Sequence, residues 1–190
     1  MLINLAPVMM YHLGGKIMKT DSIDLTAVTT QGLVVGQPTA LNTITEFVNL
    51  RCPFCRTWFE KATPVLEPLI KAGKLKRIFK FWDKPKEKLR IGNVAQHYLP
   101  YEEPTQAYHA IKFLFAHQTD WQNLTPNQLA DYMNQQLQLT EQPNATVIQQ
   151  IKNEVVAAQI ETVPTIILGQ HIFDEHISSA ELKQLLTQFV

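Results

Sequence analysis

The two cysteines of the chain are separated by only two residues, between a segment that predicts a β-strand and one that predicts an α-helix. Residues 43–49 are rich in β-branched and aromatic side chains, as expected of a strand. Pro53 suits the first helical position, because it has no N–H to lose and its φ is already helical. A second predicted strand, 76–82, follows the helix. This order predicts a βαβ unit with parallel strands and a right-handed crossover.

The predicted helix continues to about residue 70, and Gly73 is a suitable stop after it. Pro64 and Pro68 fall inside it, so we expect a kink or a break there. Four helical patterns follow, at 89–98, 104–117, 126–137 and 145–160. The chain then predicts a hairpin and a last helix, at 165–168, 171–173 and 180–189. The predicted fold class is α/β, with a four- or five-stranded mixed sheet, helices on both faces and an inserted helical subdomain.

The composition and the distribution of apolar residues limit the partners and the cellular location that we expect for the protein. The 17 basic and 17 acidic residues balance, so a nucleic-acid partner is not expected. No run of eighteen apolar residues exists in the sequence, so we predict no membrane span. The apolar stretch at residues 5–13 has no basic residue before it, which is unlike a secretory signal and favours a cytoplasmic location.

The domain organisation predicted from these patterns has two parts. Residues 1–20 are expected to be a poorly ordered extension, and residues 21–190 one domain with a helical insertion at about 86–160. Gly14 and Gly15 codons can form a bacterial ribosome-binding site ahead of Met18. We therefore also expect that translation starts at Met18 rather than at Met1.

The cysteine pair is suited to redox chemistry rather than to stapling the fold. A disulfide stabilises mainly by closing a long loop, and Cys52–Cys55 closes almost none. At the start of a helix, the Cys52 sulfur faces unpaired N–H groups and the positive end of the helix dipole, which favour the thiolate. Arg51 and Arg56 are expected to act in the same direction. The thiolate is the attacking species, and Cys55, one turn further on, is placed to resolve a mixed disulfide.

Zinc binding is a second interpretation of the cysteine pair. A structural zinc site needs four ligands, and the spacing of His171 and His176 would allow them to supply the other two. The position of Cys55 inside a long helix argues against it. We therefore expect no metal, and no cofactor other than the Cys52–Cys55 disulfide.

The sequence allows more than one interpretation of Glu46 and of the Val163-Pro164 segment. Glu46 lies in the strand that leads to the cysteines, where it is either a buried acid that exchanges a proton with Cys55 or an edge residue facing water. Val163-Pro164 precedes the last strand pair. Most X-Pro bonds are trans, and the missing N–H of Pro164 would leave backbone groups open for a substrate strand.

These segments together resemble the DsbA-like thioredoxin family. The resemblance runs from about residue 33 to 190 and rests on the segments 36–40, 46–47, 51–55, 113–115, 162–165 and Gly169. It implies a thioredoxin fold and the exchange of thiols and disulfides with protein substrates, helped by a low-molecular-weight thiol or a thioredoxin-type partner. Two alternatives are a glutathione-linked, glutaredoxin-like reductase and a non-catalytic redox-sensing or peptide-binding adaptor.

The resemblance also implies roles for individual residues. Cys52 would be the nucleophile, Cys55 the resolving cysteine and Glu46 the buried acid. Pro164 would be a cis-proline facing the disulfide. The residues implied to contact substrate are Pro53, Phe54, Val163 and Pro164. Phe54 departs from strongly oxidising relatives, which carry histidine there, because its side chain cannot donate a hydrogen bond to the thiolate.

Overall fold

The computed structural model of the protein describes residue 20 and residues 22–190. The expected extension at 1–20, except Thr20, and the expected start at Met18 lie outside the described residues. The strands are β1 (Leu33–Val35), β2 (Asn42–Val48), β3 (Leu75–Phe81), β4 (Thr165–Leu168) and β5 (His171–Phe173). The α-helices are α1 (Pro53–Lys71), α2 (Arg90–Gln96), α3 (Pro104–Ala116), α4 (Gln118–Trp121), α5 (Pro126–Leu137), α6 (Ala145–Ala157) and α7 (Ser179–Leu186).

The five strands form one mixed sheet in the order β1-β3-β2-β4-β5. Strands β2 and β3 are parallel, as the predicted βαβ unit requires, and the other neighbouring strands are antiparallel. The ends of β2, β3 and β5 and the start of β4 therefore meet at one edge of the sheet. This edge carries the segment Arg51–Cys52, directly after β2.

Helix α1 is continuous through Pro64 and Pro68, so the expectation of a break in the helix is wrong. Both prolines are on the exposed side of the helix, where carbonyl groups that lose their N–H partner face water. The opposite side packs into the core through Trp58, Ala62 and Leu66. Tertiary packing of that face keeps the helix intact despite two missing hydrogen bonds.

The helices between β3 and β4 share a hydrophobic core with the sheet. One cluster joins both cysteines and the β3 residues Phe79 and Phe81 to the insertion residues Leu114 and Trp121. On the other face of the sheet, α6 packs through Ile151 and Val155 against Phe47 and Trp82, among others. The insertion thus extends the core around the cysteines.

Two elements differ from the sequence-based expectation. Strand β1 was not foreseen as a separate strand, because three residues are too few to show a period. Helix α4 lies between the predicted patterns at 104–117 and 126–137 and was not foreseen, and it buries Gln118 and Trp121. Among the helices that the structure describes, none is long and apolar enough to cross a membrane.

Candidate active site

The two cysteines occupy the first turn of α1. Cys52 is the N-cap residue, with extended backbone angles, and Pro53 takes the first helical position. Both cysteines are free thiols. Only 3% of Cys52 and none of Cys55 is exposed, but Cys52 lines an open groove of about 1590 Å³. We call this cavity, which Phe54, Val163 and Pro164 also line, the active-site groove.

The surroundings of Cys52 stabilise its thiolate. A hydrogen bond from the Cys55 thiol is the main cause that lowers the pKa of Cys52. Burial opposes the shift, and the backbone N–H groups of Cys55 and Phe54 support it. The expected contribution of Arg51 and Arg56 does not appear. Arg51 donates to the Gln122 carbonyl, and Arg56 lies 3.8 Å from Glu60.

The surroundings of Cys55, in contrast, oppose its ionisation. Burial is the main cause that raises the pKa of Cys55, and the hydrogen bond to Cys52 and the charge of Cys52 act in the same direction. The backbone N–H of Asn49 donates to its sulfur at 3.5 Å and partly offsets these effects. The surroundings of the two sulfurs therefore favour ionisation of Cys52 over ionisation of Cys55.

The segment before β4 faces the cysteines. The Val163–Pro164 peptide bond is cis, as the resemblance implied. When Cys52 is protonated, its S–H can donate to the Val163 carbonyl oxygen, 3.5 Å away. Phe54 lies beside Cys52 with 57% of its surface exposed, and Pro53 is exposed as well. The four residues expected to contact substrate thus line one groove with Cys52.

Glu46 is fully buried, so the alternative of an edge residue facing water is wrong. Its two carboxylate oxygens accept hydrogen bonds from the Arg77 guanidinium at 2.6 and 2.9 Å. The Trp58 indole N–H donates to the same carboxylate at 2.6 Å. The hydrogen bonds that its carboxylate makes are therefore to Arg77 and Trp58. The role of Glu46 in proton transfer with Cys55 stays a prediction.

Three residues that sequence reasoning missed hold the loop at the site. Asn49 is fully buried and donates to the Trp82 carbonyl and to Asn93. Gln118 of α4 donates to the carbonyl groups of Leu50 and Cys52. Gly92 of α2 lies so close to this loop that an added Cβ would come within 2.6 Å of the Arg51 Cβ. The residues that they contact are distant in sequence, so no local pattern predicts these contacts. The only indication in the sequence was the polar side-chain type of Asn49 and Gln118.

The histidines of the zinc interpretation are not assembled with the cysteines. Among the described residues, the group near enough to share one ion is Asp174, Glu175 and His176, which includes neither cysteine. The His176 Nδ1 atom lies 2.9 Å from Asp174, and the His171 ring packs edge-on against Phe189. Within the part of the chain that the structure describes, His171 and His176 are thus not gathered with the cysteines as the zinc interpretation requires.

The fold and the site define a class: a thioredoxin-fold protein with a Cys-X-X-Cys pair at the start of its first long helix and a helical insertion. The family model for thioredoxin matches residues 28–188. The chain therefore belongs to the thioredoxin family, and the fold class predicted from the sequence is confirmed. A search of curated proteins found no match.

Solved structures with this fold come from several bacteria. A protein of unknown function from Enterococcus faecalis is 43% identical, with a TM-score of 0.86, and the match covers 90% of this chain and 98% of that one. BdbD from Bacillus subtilis is 17% identical over 84% of this chain and 92% of that one, with a TM-score of 0.61. A periplasmic thioredoxin-like protein from Salmonella enterica is 14% identical over 92% and 98%, with a TM-score of 0.63.

Proposed function

We propose that the protein is a thiol–disulfide oxidoreductase of the DsbA-like type that acts on protein substrates through Cys52-Pro53-Phe54-Cys55. One observation carries the proposal: Cys52, at the N-cap of α1, lines the open groove beside the fully buried Cys55, and this placement displaces the pKa of Cys52 downward and that of Cys55 upward. This arrangement supplies a nucleophile and keeps the second thiol from competing with it. The family and fold support the same activity.

The reaction follows from the roles of the two sulfurs. The Cys52 thiolate attacks a substrate disulfide, forms a mixed disulfide and releases one substrate thiolate. Cys55 then loses its proton, attacks the Cys52 sulfur and releases the second substrate thiolate, which leaves the Cys52–Cys55 disulfide. The substrate gains two electrons and the protein loses two. The reverse sequence oxidises a substrate dithiol.

Protein substrates fit the groove better than small ones. Val163 offers backbone groups to an extended strand, which adds affinity without reading the sequence. The exposed Phe54 ring and Pro53 give an apolar contact next to the reacting sulfur. At about 1590 Å³ the groove also exceeds the range of about 300–1,000 Å³ that is usual for small-molecule sites.

Insulin reduction by dithiothreitol tests the proposal. The protein is expected to accelerate it, and Cys52→Ser should lower the rate by about 10³-fold or more, since it removes the nucleophile. Cys55→Ser should instead accumulate a mixed disulfide on Cys52. Activity that requires glutathione would favour the glutaredoxin-like alternative, and inactivity with both would favour the adaptor.

The proton-transfer role of Glu46 is part of this proposal and has its own test. Glutamine keeps the shape of the side chain but cannot carry the proton, so Glu46→Gln is expected to change the pH dependence of the exchange rate. The substitution also breaks the ion pair with Arg77, so rates are compared only where both proteins are folded. An unchanged pH–rate profile would assign Glu46 to the structure alone.

The cytoplasmic location belongs to the proposal as well, because a reducing compartment would favour reduction or isomerisation over oxidation. One relative in fold, from Salmonella enterica, is described as periplasmic. Fractionation of native cells, with the thiols trapped by alkylation, measures both the location and the redox state of Cys52. Recovery outside the cytoplasm in the disulfide form would favour an oxidant.

A further inference from the structure

The active-site groove has oppositely charged walls on the two sides of Cys52. The strand order β3-β2-β4-β5 puts the ends of β3 and β5 on opposite sides of the Cys52 segment. The segment Lys84–Arg90 follows β3, and we call it the basic ridge. Asp174 and Glu175 follow β5 and form the acidic wall. Residues of both segments line the groove.

The cations of the basic ridge are not equally available to a ligand. The Lys84 ammonium lies over the Trp82 ring and donates to the Glu161 carbonyl. Arg90 lies 3.9 Å from Glu87, the only carboxylate of the ridge. Lys86 and Lys88 are exposed and make no ion pair within the part of the chain that the structure describes.

Apolar side chains line the groove together with the ridge lysines and the reacting sulfur. They are partly or fully buried and line the same groove as Cys52: Leu89, Ile91, Val94 and Leu124. With Phe54 they provide a surface for the apolar side chains of an extended chain. The ridge lysines stand at the rim of this surface, where a charge alters the encounter rate and the choice of partner.

We propose that the groove selects polypeptide segments whose cysteine is flanked on one side by acidic side chains, which lie against Lys86 and Lys88. This inference rests on the proposed function and specifies its substrates. The opposite wall has Glu175 and Asp174, the latter paired with His176, and it has no lysine or arginine that lines the groove, so the charges also select one orientation of the substrate chain.

The test uses the Cys55→Ser protein and symmetric disulfide dimers of single-cysteine peptides. Cys52 forms a mixed disulfide with one peptide and releases the other as a thiol, and mass spectrometry of acid-quenched samples gives the rate. Peptides of equal length carry acidic, neutral or basic flanks. Each rate is divided by the rate at which free dithiothreitol attacks the same dimer. This correction is needed because flanking charges alter the intrinsic reactivity of the peptide disulfide.

The acidic peptide is expected to react about tenfold faster than the basic one at low ionic strength, with a smaller ratio at high salt. The double variant Lys86→Glu/Lys88→Glu should lose or reverse this ratio. The control Lys74→Glu/Lys183→Glu has the same net charge, and it changes exposed lysines that do not line the groove. It should keep the ratio.

Orientation is tested with two further peptides, one with acidic residues only before the cysteine and one with them only after it. We expect one to react several-fold faster than the other. Equal normalised rates for acidic and basic peptides, or a ratio that the ridge variant keeps, would overturn the inference and leave the proposed function standing. Absence of any mixed disulfide on Cys52 would overturn both.

Discussion

Helix α1 takes part in two buried clusters of ionisable groups, which differ in how their hydrogen bonds are satisfied. At the start of the helix, Cys52 and Cys55 share one hydrogen bond, and Cys52 borders an open groove. Deeper in the sheet, Glu46 and Arg77 form a two-point ion pair with no exposed surface. Both clusters contain ionisable groups out of water, but only the first can change its bonding.

The difference shows why burial alone does not identify a reactive group. Burial acts to lower the pKa of Arg77, yet the charge and hydrogen bonds of Glu46 outweigh it and raise the pKa. Burial equally opposes ionisation of Cys52, and there the Cys55 thiol and the helix N–H groups outweigh it. The Cys52 thiol nevertheless remains open to a partner from the groove, while the ion pair is closed.

The largest expected effect is on the free energy of unfolding, at the buried Glu46–Arg77 ion pair, which we call the closed cluster. Arg77→Met leaves the Glu46 carboxylate buried without its counter-charge, which should lower the free energy of unfolding by about 3–5 kcal/mol. Urea unfolding measures the change. The control Arg90→Met removes an exposed arginine and should stay within about 0.5 kcal/mol. A small effect at Arg77 would mean that the ion pair is not structurally required.

An intermediate effect is expected where α2 supports the cysteine loop. In Gly92→Ala the new Cβ would meet Asn49 Oδ1 and lie 2.6 Å from the Arg51 backbone nitrogen, so the loop must shift. We expect a loss of about 1–3 kcal/mol from overpacking, together with slower alkylation of Cys52. Unfolding and alkylation rates are measured on the same samples. Wild-type alkylation would show that α2 does not position the thiol.

A smaller effect is expected in the pH dependence of the reduced protein. Between the lowered pKa of Cys52 and the value of about 8.5 for an unfolded cysteine, the unfolded chain binds more protons, so stability rises with pH. Above about 8.5 the raised pKa of Cys55 makes the folded state bind more protons, so stability falls. The thiol contribution should therefore peak near pH 8.5.

This contribution is obtained by subtracting the unfolding free energy of the double variant Cys52→Ser/Cys55→Ser at each pH. The subtraction removes the carboxylates, lysines and tyrosines that titrate in both proteins. A difference that does not vary with pH would contradict the opposite displacement of the two pKa values.

The smallest effect on stability is expected at Phe54, which lines the open groove with Cys52. Its exposed ring has little packing to lose, so Phe54→Ser should change unfolding by less than about 0.5 kcal/mol. Loss of the apolar contact should raise the KM for peptide substrates with little change in kcat. An unchanged KM would remove Phe54 from the substrate surface.

Local patterns in the sequence predicted most of the open cluster, which is formed by Cys52 and Cys55 at the groove. The strand, the proline at the helix start and the cysteine spacing placed Cys52 at the N-cap, and α5 and the last hairpin have the expected bounds. The closed cluster was predicted only in part. Glu46 in an apolar strand suggested a buried acid, but its partner Arg77 lies 31 residues away on a neighbouring strand.

The errors have the same cause. Pro64 and Pro68 predicted a break because the local hydrogen bonds are missing, whereas the packing of the opposite helix face keeps α1 whole. Arg51 was expected to act on Cys52, but it is bound to the Gln122 carbonyl from the insertion. In each case a contact distant in sequence decides the outcome, and no local pattern reports it.

The ionisation of each cysteine in turn is the most direct test of the account. The reduced Cys55→Ser and Cys52→Ser proteins and the wild type are titrated by thiolate ultraviolet absorbance, and iodoacetamide alkylation with peptide mass spectrometry assigns the sites. In the wild type, we expect Cys52 to ionise below the free-cysteine value and react first, while Cys55 stays protonated and unmodified. Preferential alkylation of Cys55, or ionisation of Cys52 at or above the free-cysteine value, would contradict the account.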